Sequence, residues 1–455
     1  MIETEAPPRS DKDVLDEALE CGDGTALEAL LAERPPSEAL RLVLELSAEE
    51  RNRMLALVGA EAAARIVEEA PAELAAEIVQ ELDAEVAVRI VEELDSDDRA
   101  DLIDELDLGD AEAILARMDP EDAADVRRLI QYESDTAGGL MLAETFAFRA
   151  DETVGAVLRG LTADEDDFER YRGQHPYVID AEGRLLGVLS LRTLLTIRRS
   201  TRLVDVMAEA IAVPPTATLD ELQNLFDEHP FLGIPVVDAK GALIGFVSRT
   251  AVAEAVQERT ESDSLKLQGV IGDELRSMPT FLRARRRLAW LSANIVLNII
   301  AASVISAYEE TLDAVIAIAV FLPMVSDMSG CSGNQAVAVS LRELALGLTR
   351  PADTARVWLK EISVGVMNGL VLGLLIGIVA WLWKDNPWLG VVIGAALAIN
   401  TMIAVSIGGV VPLVLKRFGT DPAVASGPLL TTVTDMAGFF LVLSLATQMM
   451  PLLAP

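Results

Sequence analysis

Residues 427–440 read GPLLTTVTDMAGFF and run without interruption into LVLSLATQMM (441–450). The stretch is long and apolar enough for a helix in lipid, yet it carries a carboxylate, Asp435, about midway. Placing that charge near a bilayer centre costs about 2.5–3.5 kcal/mol on insertion scales, so such a residue normally faces a cavity, an ion path or a partner. The plainer alternative is a helix-packing hydrogen bond or a salt bridge, but no Lys or Arg lies in any apolar run to supply the cation. Pro428, expected at a helix start, leaves carbonyls unpaired, and Gly427 and Gly438 let backbones approach closely. Thr431, Thr432 and Thr434 add hydroxyl oxygens. Such hard oxygen donors suit magnesium, calcium or manganese rather than zinc or copper. Magnesium sheds its waters reluctantly, so one or two carboxylates around a largely hydrated ion would serve it. One carboxylate per chain is a weak site; two copies meeting at a dimer axis make a better one.

Working outward, the surrounding chain is built for the same medium. Apolar runs occupy roughly 288–307, 314–340, 362–383, 389–413 and 424–450, each long enough to span a bilayer. The second is interrupted by SDMSGCSGNQ, where the spacing predicts a helix break beside Asp327. Basic residues sort by side. Arg283, Arg285, Arg286 and Arg287 precede the first run, and Arg342, Arg350, Arg356 and Lys360 follow the second. The connection YEETLD has none. The positive-inside bias therefore puts the N-terminus in the cytoplasm and the C-terminus outside, as five spans require.

Charge separates this half from the other. Of 72 acidic and 37 basic residues, only 10 and 7 lie in 288–455, leaving 62 and 30 in 1–287. The N-terminal part thus carries −32 of the chain's −35. Such a surface argues against nucleic acid and favours cations. The opening MIETEAPPRSDKD has neither a basic nor an apolar segment of a signal peptide. Cys21 and Cys331 are too few and too far apart for a disulfide framework or a zinc site, consistent with a reduced, cytoplasmic soluble half.

Within that half, residues 42–119 repeat every 12 positions. Met54, Ile66, Ile78, Ile90, Leu102 and Ile114 are evenly spaced, and Asp83, Asp95, Asp107 and Asp119 punctuate the units. Each unit is too small to bury its own apolar face, so stacked units predict a curved superhelix with an acid-crowded exterior. Residues 137–260 change character. HPYVIDAEGRLLGVLSLRTLL (175–195) and HPFLGIPVVDAKGALIGFVSRTAV (229–252) are two versions of one pattern: strand, Asp-x-x-Gly turn, strand, helix. DETVGAVLRGL and LDELQNLF are helical stretches that precede them. The tandem resembles a pair of cystathionine-β-synthase (CBS) domains. Such modules often bind ATP-like nucleotides through an Asp after the second strand, where this chain has Thr193 and Thr250.

Taken in order, an acidic helical repeat, YESDTAGGLM (132–141), the paired CBS pattern, a linking helix and five spans resemble the MgtE family of magnesium channels and transporters. The most specific pieces are DPAVASGPLLTTVTDMAG (421–438), FLPMVSDMSGCSGNQAVAVSLRELALG (321–347) and SAYEETLDAVIAIA (306–319). The resemblance implies a multidomain α-helical membrane protein: a cytosolic α-superhelix and tandem α/β CBS domains, then a five-helix transmembrane domain. The expected divisions are a tail and leading helix (1–35), the N-type superhelix (36–134), CBS domains (135–200 and 201–260), a linking or plug helix (261–287) and the membrane domain (288–455). It further implies a homodimer in membrane lipid with the pore on the dimer axis. The pore carboxylate falls on Asp435, with Gly427, Pro428 and Thr432 in the pore-lining stretch and Glu309 at the outer end of the first span. Mg2+ would be both the transported and the regulatory ion. The acidic sensor stretch corresponds to SDDRAD, hence Asp97, Asp98 and Asp101, with Asp263 on the linking helix. Two departures stand out: Cys331 occupies a position where the family often has Asn, and Thr216 and Thr218 stand where acids are expected.

An exchanger, a cobalt or manganese transporter, and a membrane sensor without transport remain alternatives from the residues alone. Enzymatic activity is not expected. The two histidines, His175 and His229, occupy equivalent strand starts, and no phosphate-binding Gly-x-x-x-x-Gly-Lys-Ser/Thr loop is present.

Overall fold

The computed structural model describes residues 11–160, 175–270, 274, 275, 278 and 280–453. The segment read above for a signal lies largely outside these residues, as does part of the linker. The chain divides into two compact units, Met1–Arg259 and Thr260–Pro455.

The first unit opens with ten short helices among the described residues, from α1 (Asp11–Cys21) to α10 (Pro120–Leu129). From the fourth onward they begin at residues 48, 60, 72, 84, 96, 108 and 120, so the 12-residue sequence period is a helix-plus-turn period. The repeating apolar position is buried in every unit, from Met54 at 0% exposure to Ile114 at 4%. Asp83, Asp95, Asp107 and Asp119 fall at the residue before each helix; the Asp119 side chain accepts from the Glu121 amide at 2.9 Å. Eight to ten residues per helix cannot enclose a core alone, and stacking on the next unit supplies it.

Two three-stranded sheets follow. One orders β2 (Ala147–Arg149), β3 (Tyr177–Ile179) and β4 (Leu185–Val188); the other orders β1 (Met141–Leu142), β6 (Leu243–Ser248) and β5 (Gly233–Val237). The strand preceding the first module therefore pairs with the second module, Met141 opposite Val247. Reciprocally, Ala208, which precedes the second module, bridges to Val188 of the first. A boundary drawn at residue 200 cuts across this exchange. The two Asp-x-x-Gly turns are built alike. Asp180 Oδ1 accepts from the amides of Glu182 and Arg184, and Asp238 Oδ1 from those of Lys240 and Ala242, all within 2.9 Å. Gly183 (φ +79°) and Gly241 (φ +81°) occupy the left-handed region that side chains disfavour. The turns also meet each other, through Leu185 N to Gly241 O and Leu243 N to Gly183 O, each 3.0 Å. Helices α11 (Val154–Gly160), α12 (Leu191–Thr196) and α13 (Leu219–Glu228) complete the modules. Thr218 caps α13, exchanging hydrogen bonds with Glu221. The next helix, α14, runs Arg249–Leu267.

In the second unit, five helical segments are long and apolar enough to cross a membrane: Thr280–Ala307, Ile316–Ala345, Pro351–Lys384, Pro387–Arg417 and Pro422–Gln448. Their helices are α15 (Thr280–Ala307), α17 (Leu322–Ala345), α18 (Thr354–Lys384), α19 (Pro387–Arg417) and α20 (Pro422–Gln448); α16 (Glu309–Ala314) joins the first two. Arg283, Arg285, Arg286 and Arg287 belong to the first turns of α15 itself, and Arg283 and Arg287 both pair with Glu274. The stretch expected as one linking helix (261–287) holds the end of α14 and the start of α15; residues 271–273, 276, 277 and 279 between them lie outside the described residues.

Two expectations are corrected. SDMSGCSGNQ does not break the second span: α17 is continuous through it, and Asp327 lies inside the helix. Pro428 is not at a helix start but within α20, which begins at Pro422. Small residues explain the first. A Cβ on Gly408 of α19 would lie 2.3 Å from the Gly333 carbonyl of α17, so these glycines permit close packing rather than a turn. The α18–α19 contact is similar, with a Cβ on Gly373 falling 2.5 Å from the Gly394 carbonyl. The apolar core of this unit runs from Val315 and Phe321 through Val325, Ile393 and Leu397 to Val442 and Ala446.

Candidate ion sites

Asp435 lies on α20 and is half-buried. Its Oδ1 accepts from Ser326 Oγ of α17. Among the described residues its side-chain partner is therefore a neutral hydroxyl, and no ion pair to it is formed. On α17, Asp327, Cys331, Asn334 and Gln335 are exposed at spacings of four, seven and eight residues, which places them on one face of the helix. A polar stripe on a span, next to an uncompensated acid, is chemistry for water and a cation rather than for acyl chains.

The rest of the predicted stretch sits around this acid. Thr431 Oγ1 donates to the Gly427 carbonyl at 3.0 Å, and Thr432 Oγ1 to the Pro428 carbonyl at 2.8 Å. A hydroxyl whose proton is spent this way keeps its lone pairs, so it can accept from the waters of a hydrated ion. Pro428 has no amide hydrogen, which leaves the carbonyl four residues earlier without its usual helical partner. Glu309 is exposed at the start of α16, on the connection between the first two spans, and the described contacts do not link it to Asp435.

Sequence reading missed two groups here. Ser326 carries no signal beyond its place before Asp327. Asn400, one polar residue inside the apolar run 389–413, is fully buried and joins α19 to both other helices. It donates from Nδ2 to Ser329 Oγ and, at 3.0 Å, to the Thr434 carbonyl.

A second acidic locus lies in the first unit, on α8 (Ser96–Glu105). Arg99, the basic residue of that helix, is buried and donates to the carbonyls of Val91, Glu92 and Leu94 at 2.8–3.0 Å. It also pairs with Asp122 at 3.1 Å, so its charge is spent away from its acidic neighbours. Burial, with the charges of Glu68, Asp95, Asp101 and Glu254 adding, pushes Asp98 up to about 7. Burial together with Glu258, Asp104 and Glu105 brings Asp101 to about 6. Asp97 is held well above the usual carboxylate range by burial, then by Asp98 and Asp95. Glu68 is raised as well, by burial and then by Asp95 and Glu254. Asp98 and Asp101 keep an exposed edge although protein atoms crowd their carboxyl groups. The three predicted acids are thus brought together, joined by Glu68 and by Glu254 and Glu258 of α14, which the sequence reading had not singled out.

Among the described residues no three His, Cys, Asp or Glu side chains stand close enough to hold a bare metal ion. Asp263, the fourth predicted acid, is half-buried on α14, 4.0 Å from Lys266 Nζ, which in turn lies 3.1 Å from Asp421 at the cap of α20. Cys21 and Cys331 are both free and exposed.

The CBS modules enclose a separate cleft of about 240 Å³ lined by His175, Tyr177, Leu189, Glu209, Phe231 and Pro235, among others. Thr193 is engaged in capping α12, where its amide donates to Ser190 Oγ at 3.1 Å.

Comparison with known proteins agrees with this layout. The family model MgtE, described as a divalent cation transporter, matches residues 322–445; that of the MgtE intracellular N domain matches 34–135, and that of the CBS domain 203–258. The magnesium transporter MgtE of Thermus thermophilus is 36% identical over 328 residues, covering 71% of this chain and 72% of the relative. That of Enterococcus faecalis is 32% identical over 331 residues, covering 72% of each. A crystal structure of the cytosolic domain of the Mg2+ channel MgtE in complex with ATP covers 54% of this chain and 99% of that one, at 34% identity and a TM-score of 0.49. With a matching membrane domain, a matching intracellular domain and relatives aligned over more than two thirds of their length, the chain belongs to the MgtE family.

Proposed function

We propose that this protein is a magnesium-selective channel or transporter of the plasma (inner) membrane, closed by cytosolic magnesium acting on its soluble unit. It is not an enzyme; its relatives are named for transport. The observation that carries the reading is Asp435, a carboxylate on a membrane-length helix whose partner is a serine hydroxyl rather than a cation. Two copies of the chain, meeting along the polar face of α17 and α20, would offer two such acids to one hydrated Mg2+. Thr432 and the carbonyls near Gly427 and Pro428 would take hydrogen bonds from its water shell. Entry would be driven by the membrane potential, with the N-terminus in the cytoplasm, the C-terminus outside and Glu309 at the outer mouth.

The regulatory part rests on the acids of α8 and α14. At an effective dielectric near 20, two like charges about 4 Å apart repel by about 4 kcal/mol. Divalent ions bridging Asp97, Asp98 and Asp101 to Glu254 and Glu258 stabilise the compact arrangement, and their loss releases it. An ion that binds one arrangement better shifts the equilibrium by that difference, and the helix α14, which carries Asp263, is the element through which it would act. ATP in the CBS cleft would bias the same equilibrium.

The test is magnesium uptake by a transport-deficient cell. Parent protein should restore growth at low magnesium, and Asp435→Ala, present in the membrane at equal amount, should not. Equal uptake by the two would reject the site and favour a sensor without transport.

A further inference from the structure

Asn400 is the buried group that the ion-site description leaves without a task. It is 0% exposed, in the middle of α19, a helix whose buried residues are otherwise mostly Ala, Ile, Val, Leu and Gly, with Thr401 and Ser406 the other buried polar ones. Its amide orientation is fixed by chemistry: the Thr434 carbonyl can only accept, so Nδ2 must face it. Ser329 Oγ spends its own proton on the Val325 carbonyl at 2.7 Å and is left to accept the second Nδ2 hydrogen. Asn400 Oδ1 is enclosed and has no hydrogen-bond partner among the described residues. An amide that merely filled space would be better replaced by Leu, because an unpaired buried acceptor is a cost that packing does not recover.

What the side chain achieves is geometric. Ser329 is one turn beyond Ser326, the residue that donates to Asp435. The Thr434 carbonyl belongs to the peptide unit that leads into Asp435. One amide therefore grips α17 a turn away from the donor and α20 at the acid itself. Gly438 completes the arrangement, because a Cβ there would fall 2.7 Å from Asn400 Nδ2.

We infer that Asn400 is a positioning residue for the ion site: it sets the separation of α17 and α20 so that the Ser326 hydroxyl meets the Asp435 carboxylate and aims it at the passing ion. The inference rests on the reading of Asp435 as the ion-binding acid. It assigns to Asn400 no contact with the ion.

The experiment uses full-length protein reconstituted in liposomes, with magnesium influx followed by an internal indicator. Asn400→Leu, which keeps the branching at Cγ, and Ser329→Ala, a milder change on the other side of the same bond, are each measured alone and together. Ser329→Ala should raise the magnesium concentration for half-maximal influx about tenfold, the change expected for one lost buried hydrogen bond, and Asn400→Leu, which loses two, by at least as much. The double variant should be no worse than Asn400→Leu alone, because the bond that Ser329→Ala removes is already lost there. Inhibition by hexaamminecobalt(III), a mimic of hydrated magnesium, should weaken by the same factor. Half-maximal concentrations that stay at the parent value in folded, correctly assembled variants would overturn the inference, as would independent, additive effects. If Asn400→Leu does not fold, Ser329→Ala alone decides, by the shift or its absence. A parent-like Asp435→Ala in the same assay would instead reject the underlying site.

Discussion

Two sets of carboxylates in this protein are handled in opposite ways. In the membrane unit Asp435 meets a hydroxyl and stands beside a polar stripe whose one acid is Asp327. In the soluble unit Asp97, Asp98 and Asp101 follow one another on α8 within reach of the charges of Glu68, Glu254 and Glu258, while Arg99 is turned away onto backbone carbonyls. A lone acid in a low dielectric can bind a hydrated cation and release it. A crowd of acids binds because each proton or divalent ion relieves the repulsion of the rest, so occupancy changes the arrangement itself. In the proposed function the same residue type would serve passage in one place and sensing in the other.

The difference can be broken by mutation, and the largest effect belongs to the lone acid. Asp435→Ala should abolish magnesium influx, whereas Asp98→Asn should leave maximal influx near the parent value; equal losses would erase the distinction. Next, Asp97→Asn, Asp98→Asn and Asp101→Asn combined should raise the cytosolic magnesium needed for half-inhibition about tenfold, read from patch currents with controlled internal magnesium. Unchanged inhibition would remove these acids from the sensor.

A smaller effect concerns pH. A carboxyl whose folded-state proton affinity is raised stabilises the folded form while protonated. That contribution is complete below the unfolded range near 4 and is lost as pH rises through the folded values, about 6 for Asp101 and about 7 for Asp98. In chelator-treated protein, α8 and α14 should therefore resist protease better at pH 5.5 than at 7.5, and magnesium at pH 7.5 should restore the protection. Protection independent of pH would contradict the crowding. The smallest effect lies away from both sites. Thr218→Ala removes the cap of α13 and should cost about 1 kcal/mol of stability, seen as a lower thermal midpoint with influx unchanged.

Much of this was legible before any coordinates. The 12-residue period of Met54, Ile66 and their successors became helices beginning every 12 residues, because one buried side chain per unit is a local requirement. The five apolar runs became helices long enough to span, since in lipid the backbone must satisfy itself. Asp435 was conspicuous for the same reason. Two positions misled. Glycines in SDMSGCSGNQ read as a break, yet Gly333 is needed for contact with Gly408, and a glycine that serves packing looks in sequence like one that serves a turn. Pro428 read as a helix start, but Pro422 begins the helix and Asp421 caps it. The exchange of β1 into the second sheet, the bond from Ser326 to Asp435, and the meeting of α8 acids with Glu254 and Glu258 are all long-range. No local pattern encodes them.

Ion passage at Asp435 requires its side chain to face water rather than lipid or a sealed core, and that can be measured at the position itself. In a background of Cys21→Ser and Cys331→Ser, Asp435→Cys should react with a charged, membrane-impermeant thiol reagent applied to protein in sealed vesicles. Leu443→Cys, at a fully buried position of the same helix, should not. Labelling at 435 well above that at 443 is the predicted result; a cysteine at 435 as inert as the one at 443, from either side of the membrane, would contradict it.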